Sequence, residues 1–336
     1  MVVLSVPRER CEVLRVALEK AGLLDVHRRI VTRGSRVLIP AIAMPPFELT
    51  PFQAAVEMET LPSMVAARPP IDRIRGRLPE ALRSAIPPKW ERLGDVVLLR
   101  LPPELQAHRE LVGEAFGEVL GARTVAVYGP IGGPWREPAV EVIWGDGTET
   151  EHVENGIRYR LDVAKTMFSS GNLPERVRMG RIVQPGETVV DLFAGIGYFA
   201  LPMAVHGRAR VYACEVNPVA YRYLEENARV NRAETLIPIA GDCRLVAPRD
   251  VADRVVLGYL EGSEYLSVAM ASLRGRGWLH YHEACPAERC SSRPAERVAR
   301  ASTDAGMAVK EQALRYLKSY APGVWHVVLD ARLGPS

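Results

Sequence analysis

From Gly186 onward, short apolar runs of strand length alternate with stretches whose apolar residues recur at helical spacing. Val189–Asp191, Arg210–Glu215, Leu236–Gly241, Asp253–Leu257 and Gly277–Tyr281 read as strands. Phe199–Val205, Pro218–Asn231, Tyr265–Leu273 and Pro294–Ala305 read as helices, the second with Tyr221, Leu224 and Ala228 as its apolar side. Ala308–Tyr320 and Val324–Ala331 close the chain as a pair around Ala321-Pro322-Gly323. Such alternation predicts an α/β fold with a doubly wound parallel sheet, its last pair antiparallel. Ligands of such sheets bind beyond the carboxyl ends of the strands, where the strand order switches.

Upstream the pattern is different and suggests two small α+β modules. Residues 1–43 hold a strand at Val2–Val6, an amphipathic helix over Glu9–Ala21 with Val13, Leu14, Ala17 and Leu18 on one side, and strands at Ile30–Val31 and Val37–Ile42. Residues 44–93 are punctuated by proline and read as a connector. Between Arg68 and Arg92 this stretch has seven basic residues and three acids, which suits either a solvated linker or a strap along a phosphate backbone. Residues 94–163 give a strand, a helix over Leu105–Leu120, a strand at Arg123–Tyr128, a loop at Gly129–Pro134, and strands around the Gly145-Asp146-Gly147 and Asn155-Gly156 turns. Residues 164–336 form the doubly wound domain, and Lys165–Arg178 is placed to fold over its pocket.

Composition changes little in this picture. With 48% hydrophobic and 25% charged residues, the 336-residue chain is ordinary for a globular protein. A net charge of +3 does not by itself declare a nucleic-acid binder. No apolar run approaches a membrane span, and the charged N-terminus lacks a secretory apolar region, so a cytoplasmic location is expected. The cysteines (Cys11, Cys214, Cys243, Cys285, Cys290) are odd in number and scattered, unlike a disulfide framework.

The candidate chemistry centres on Val189–Ala200, a buried strand running through a glycine turn into a helix. Glycines let the backbone approach a ligand, and a helix N-terminus offers free N–H groups. Gly195-x-Gly197-x-x-Ala200 fits a dinucleotide fingerprint, with Glu215 near the distance of a ribose-binding acid. Three acids at strand ends favour S-adenosylmethionine instead. Asp191 precedes the glycines, Glu215 is placed to accept from ribose hydroxyls, and Asp242 from an adenine amino group. Carboxylates here repel a pyrophosphate but suit a cationic sulfonium. The expected architecture is therefore a class I S-adenosylmethionine-dependent, Rossmann-like sheet. Cys285 and Cys290 with His280, His282 and Glu283 match no common zinc spacing, and no metal is expected.

Several segments together resemble the tRNA position-37 enzymes of the guanosine-N1 methyltransferase superfamily. They are Asp191–Phe199, Glu215–Pro218, Gly241-Asp242, His280–Glu283 and Tyr320–Val328, along with the Gly94-Asp95 and Glu154-Asn155-Gly156 turns and Gly22–Asp25. The resemblance runs through nearly the whole chain. It implies that Ser169 and Arg176 border the cofactor beside Gly195, that Glu215 holds the ribose, that Asp242 and Cys243 hold the adenine, and that residues 1–43 contact the tRNA body. No residue stands out as a general base.

Two departures point to the wybutosine-pathway branch of that superfamily. Ser169-Ser170-Gly171-Asn172 stands where the methyltransferases have Ser-Pro-Arg, and Gly258-Tyr259-Leu260 where they have Asn-Leu-Pro. That branch transfers the 3-amino-3-carboxypropyl group of S-adenosylmethionine to 4-demethylwyosine at position 37 of tRNA(Phe), in the anticodon region, and leaves methylthioadenosine. Guanosine-N1 methylation at the same position is the alternative. The oligomeric state is not legible.

Overall fold

The computed structural model describes residues 2–58, 60–63, 68–132 and 137–336. The chain divides into two units, Met1–Pro69 and Pro70–Ser336.

In the first unit β1 (Val2–Pro7) is followed by α1 (Cys11–Lys20), β2 (Val31–Arg33), β3 (Arg36–Ala41) and β4 (Ala55–Glu57), giving the sheet order β2-β3-β1-β4. Helix α1 presses Leu14 and Leu18 onto this sheet. Val13, expected on the apolar side, faces solvent at 54% exposure, because the buried stripe follows the i, i+4 pair Leu14–Leu18. Strand β4 pairs with β1, and Phe47, Leu49 and Phe52 pack against the same core. The stretch after residue 43, expected to begin a connector, thus completes the first sheet.

The second unit opens with α2 (Pro70–Gly76), α3 (Glu80–Arg83), β5 (Glu91–Leu93), β6 (Val96–Leu99), α4 (Arg109–Leu120), β7 (Thr124–Gly132) and β8 (Glu137–Gly145). Its four strands run β5-β6-β7-β8, and α4 makes the crossover between parallel β6 and β7. Ile74, Leu78 and Ile86 are buried with Val97, Leu99 and Phe116. The prolines of residues 70–93 therefore punctuate short helices in this layer, where a connector was expected. Strand β7 carries the expected 129–134 loop as far as Gly132; Gly133 and Pro134 lie outside the described residues.

The hairpin β9 (Glu149–Glu154) and β10 (Ile157–Asp162) is a separate two-stranded sheet. Ile157, Tyr159 and Leu161 alternate inward. They join one apolar cluster with Val189, Ile196, Leu201 and Leu224 of the following domain.

That domain contains α5 (Leu173–Ile182), β11 (Thr188–Asp191), α6 (Ala200–Val205), β12 (Arg210–Glu215), α7 (Pro218–Val230), β13 (Leu236–Ala240), α8 (Cys243–Val246), β14 (Ala252–Leu257), α9 (Leu266–Ser272), β15 (Leu273–Pro286), α10 (Arg293–Asp304), β16 (Met307–Ala321) and β17 (Val324–Pro335). The seven-stranded sheet runs β13-β12-β11-β14-β15-β17-β16. The first five strands in that order are parallel, and β17 is antiparallel to both β15 and β16. Strand order reverses between β11 and β14, which puts the switch point at Asp191 and Leu257. The buried side of α7 consists of Ala220, Tyr223, Leu224 and Asn227, with Tyr221 and Ala228 at its margin.

Candidate active site

Asp191 ends β11 at the switch point and is wholly buried. Its Oδ1 accepts from the Phe193 amide at 3.2 Å, while Oδ2 has no partner among the described residues. Burial and the nearby Glu215 charge push its carboxyl up to about 7, against the pull of the Phe193 amide. An orphaned carboxylate oxygen in a buried site is costly unless a donor or cation arrives.

The glycine turn wraps around Glu215. Gly195 has φ +58°, and a Cβ there would lie 2.4 Å from Tyr198 Cε2. Its N–H donates to Glu215 Oε2 at 2.7 Å, and Asn217 N–H donates to Oε1 at 2.7 Å. Asn217 in turn caps α7 through the Val219 amide. The sequence suggested that free amides here would face a ligand. Instead the Gly195 amide is spent on a carboxylate, and α6 is only six residues long. The turn therefore presents acids, each with lone pairs to spare, and little helix dipole.

Asp242 caps the short helix α8 through the Arg244 amide at 2.9 Å, and the Arg244 guanidinium closes on the same carboxylate. Its acceptor capacity is shared with that arginine. Cys243 is buried beside it, and burial pushes its thiol up to about 12, so it acts as an apolar wall rather than a nucleophile. Phe193, Tyr259 and Tyr265 gather nearby, with the Phe193 ring 5.1 Å from Tyr259 and 4.8 Å from Tyr265.

On the opposite flank, Arg176 is 2% exposed and grips Glu154 through two bonds of 2.5 and 2.6 Å. Its remaining nitrogen donates to the Ser169 carbonyl at 2.9 Å, and its guanidinium lies over the Phe168 ring. Phe168 packs against Tyr198, whose hydroxyl donates to the Met167 carbonyl. Residues 167–169 are thereby seated on the glycine turn. Arg176 shapes this loop, and its charge is already matched by Glu154.

The two loops that depart from the methyltransferase pattern share one wall. Ser169 Oγ accepts from Lys318 Nζ. Lys318 stands opposite His326 in the β16–β17 register. His326 pairs with His282 at 3.0 Å, and the His282 ring lies 5.0 Å from Phe199. A Cβ on Gly258 would meet Phe199 at 3.2 Å. Burial and neighbouring positive charge push both histidines down to about 3, so they are neutral at physiological pH. Sequence reasoning singled out His282 by its alternation with His280 and included His326 in the Tyr320–Val328 segment without giving it a role, but missed Lys318, which carries no motif spacing and meets His326 only through strand register.

The expected site residues thus fall into three contacts: Gly195 with Glu215, Ser169 with Arg176, and Asp242 beside Cys243. The first two meet through Phe168 and Tyr198. Cys243 shares an apolar cluster with Cys214, the neighbour of Glu215. Among the described residues no group of His, Cys, Asp and Glu is arranged to hold a metal ion. His280 is instead bound to Asp330 and Arg254, and Glu283 to Arg293 and Arg297.

The sequence profile of the TRM5/TYW2 methyltransferase domain matches residues 150–310, and that of the TYW2 N-terminal domain matches residues 72–148. A Pyrococcus horikoshii protein named tRNA(Phe) (4-demethylwyosine(37)-C(7)) aminocarboxypropyltransferase is 42% identical over 258 residues, 76% of this chain and 93% of that protein. The chain belongs to the TRM5/TYW2 family. Another relative in TRM5/TYW2, the tRNA (guanine(37)-N(1))-methyltransferase Trm5b of Pyrococcus abyssi, is 33% identical over 98% of both chains. Among solved TRM5/TYW2 structures, P. horikoshii TYW2 in complex with MeSAdo superposes with a TM-score of 0.72 at 40% identity, covering 79% of this chain and all of that one.

Proposed function

We propose that this chain transfers the 3-amino-3-carboxypropyl group of S-adenosylmethionine to 4-demethylwyosine at position 37 of tRNA(Phe), releasing methylthioadenosine. The observation that carries the reading is the 42% identity to a relative named for that activity, against 33% to the relative named as a guanine-N1 methyltransferase. The fit of the site supports it. S-adenosylmethionine supplies a sulfonium with three electrophilic carbons, and this pocket supplies Asp191 and Glu215 to receive a cation and its ribose. Asp242 and Cys243 border the adenine side, and Ser169, held by Arg176, borders the amino-acid arm. The transfer forms a bond from the base carbon to the γ-carbon. The γ-carbon–sulfur bond breaks with its electrons on sulfur, and the base carbon loses its proton to solvent. Which carbon reacts is a matter of positioning. A cleft of ≈ 570 Å³ lined by Trp90, Arg92, His152 and Ser170 opens beside the 169–172 loop and offers aromatic faces to an extruded base.

Action in the anticodon region follows from the same reading, since the relative's name specifies tRNA(Phe) and position 37. Among the described residues no helix is long and apolar enough to cross a membrane, and a cytoplasmic site of action suits a tRNA substrate. The resemblance supports contact between residues 1–43 and the tRNA body.

The co-product decides between the two chemistries. On tRNA(Phe) carrying 4-demethylwyosine, wild-type protein should yield methylthioadenosine; S-adenosylhomocysteine as the only nucleoside product would overturn the proposal.

Binding should also depend on pH. The Asp191 carboxyl, raised to about 7, is largely protonated in the free protein below that pH, whereas a sulfonium favours the carboxylate. Affinity for S-adenosylmethionine should rise with pH up to about 7 and level off above it, with up to one proton released. Calorimetry in buffers of different ionisation enthalpy reads this directly, and a flat profile would remove Asp191 from the site. Without ligand the sign reverses. A raised carboxyl costs stability as pH climbs from its unfolded value of about 4 towards 7.

A further inference from the structure

Lys318 is placed by an irregular strand. Register shifts fall at Tyr316/Lys318 and at Ser319/Ala321, so two bulges bracket it on β16, the edge strand of the sheet. Bulges re-aim side chains, and this one brings a half-buried ammonium inward to Ser169 Oγ at 2.5 Å. Gly171 leaves it room, since a Cβ there would lie 3.3 Å from Lys318 Cδ and Nζ.

Its surroundings leave the charge unmatched. Among the described residues no carboxylate lies within 4.0 Å of the ammonium. Arg176, the neighbouring cation, is already bound by Glu154. Glu91 acts on Lys318 only at longer range and accepts from Ser170 Oγ. His326, opposite in register, is neutral. Two cations therefore converge on Ser169, and among the described residues Glu154, bound to Arg176, is the carboxylate paired with either of them. A half-buried ammonium whose direct partner is a hydroxyl suits an anion delivered by a ligand.

We propose that Lys318 binds the carboxylate of the 3-amino-3-carboxypropyl arm and thereby turns the γ-carbon, rather than the methyl, toward the acceptor base. The proposal rests on S-adenosylmethionine being the donor. It favours the arm over a tRNA phosphate because Lys318 reaches Ser169, which the Phe168–Tyr198 contact seats on the glycine turn. Lys318 is a positioning residue and takes no proton or electron pair in the transfer.

The contrast between two ligands tests it on the full chain. Methylthioadenosine has the adenosine and sulfur but no carboxylate. In calorimetry Lys318→Met should weaken S-adenosylmethionine binding about tenfold or more and change methylthioadenosine binding less than about twofold. Lys318→Arg should recover most of the lost affinity. Equal losses for both ligands would mean that the lysine only supports the fold and would overturn the proposal. Unchanged S-adenosylmethionine affinity with weakened tRNA binding would also overturn it, assigning the charge to a phosphate. The wild-type co-product is read separately. S-adenosylhomocysteine there would sink aminocarboxypropyl transfer while leaving the carboxylate contact to stand or fall on the ligand contrast.

Discussion

Replacing Glu215 with alanine should lower S-adenosylmethionine affinity by roughly a hundredfold, about 3 kcal/mol, while leaving the fold intact. The carboxylate sits at the end of β12 with both oxygens pinned by amides, Gly195 to one and Asn217 to the other. It is therefore preorganised to accept from vicinal hydroxyls with little ordering cost on binding. The variant removes the acceptors and also releases the Gly195 amide that shapes the turn. Glu215→Gln keeps one carbonyl acceptor and should fall between. A second readout is electrostatic. Because the Glu215 charge helps to raise the Asp191 carboxyl, the pH dependence of binding should move to lower pH in Glu215→Gln. Calorimetry across pH measures both effects, and unchanged affinity in the alanine variant would reject the ribose assignment.

Asp330→Ala should be the most damaging single change to stability, at about 3–5 kcal/mol. Asp330 is a buried junction in β17. It accepts from His280 Nδ1 at 2.5 Å, from Arg178 at 2.9 and 3.0 Å, and from Arg315 at 3.0 Å. His280 passes the network on to Arg254, which also meets Glu187. Removing the carboxylate leaves the Arg178 charge and the His280 ring buried with fewer partners. Hydrogen exchange at β15 and β17 would register the loss locally, and unaltered protection would contradict it. Burial alone would raise the Asp330 carboxyl, but its bonds and the positive charge of its partners outweigh that and hold it well below the usual range. Its contribution is therefore complete above the unfolded value of about 4 and fades as pH falls below it.

The sequence disclosed the doubly wound sheet because each strand there is a compact apolar run and each helix has its own period. Even the closing antiparallel pair was legible, through Pro322-Gly323. The placement of Asp191 and Glu215 at strand ends beside the Gly195 turn was legible for the same reason. What escaped notice was settled by contact rather than by pattern. Arg176 reads as a cofactor neighbour, and no spacing announces that its charge is matched by Glu154 of the preceding hairpin. Lys318 reads as an ordinary strand lysine until bulges and register bring it to Ser169. Residues 70–93 read as a connector because proline masks short helices, and the few buried apolar residues, Ile74 in α2 and Leu78 and Ile86 outside the helices, make no periodic stripe.

The β9–β10 hairpin bears on where this protein can be cut. Asn227 of α7 is fully buried and holds the Arg160 backbone on both sides while donating to the Ile196 carbonyl in the glycine turn. Asn231 repeats the clasp at Arg158. A recombinant fragment starting at residue 164 would lose Ile157, Tyr159 and Leu161 from its core and uncover an oily surface beside the pocket, inviting aggregation. One starting near residue 149 would retain that lining, so the practical seam for expressing the catalytic half lies ahead of the hairpin.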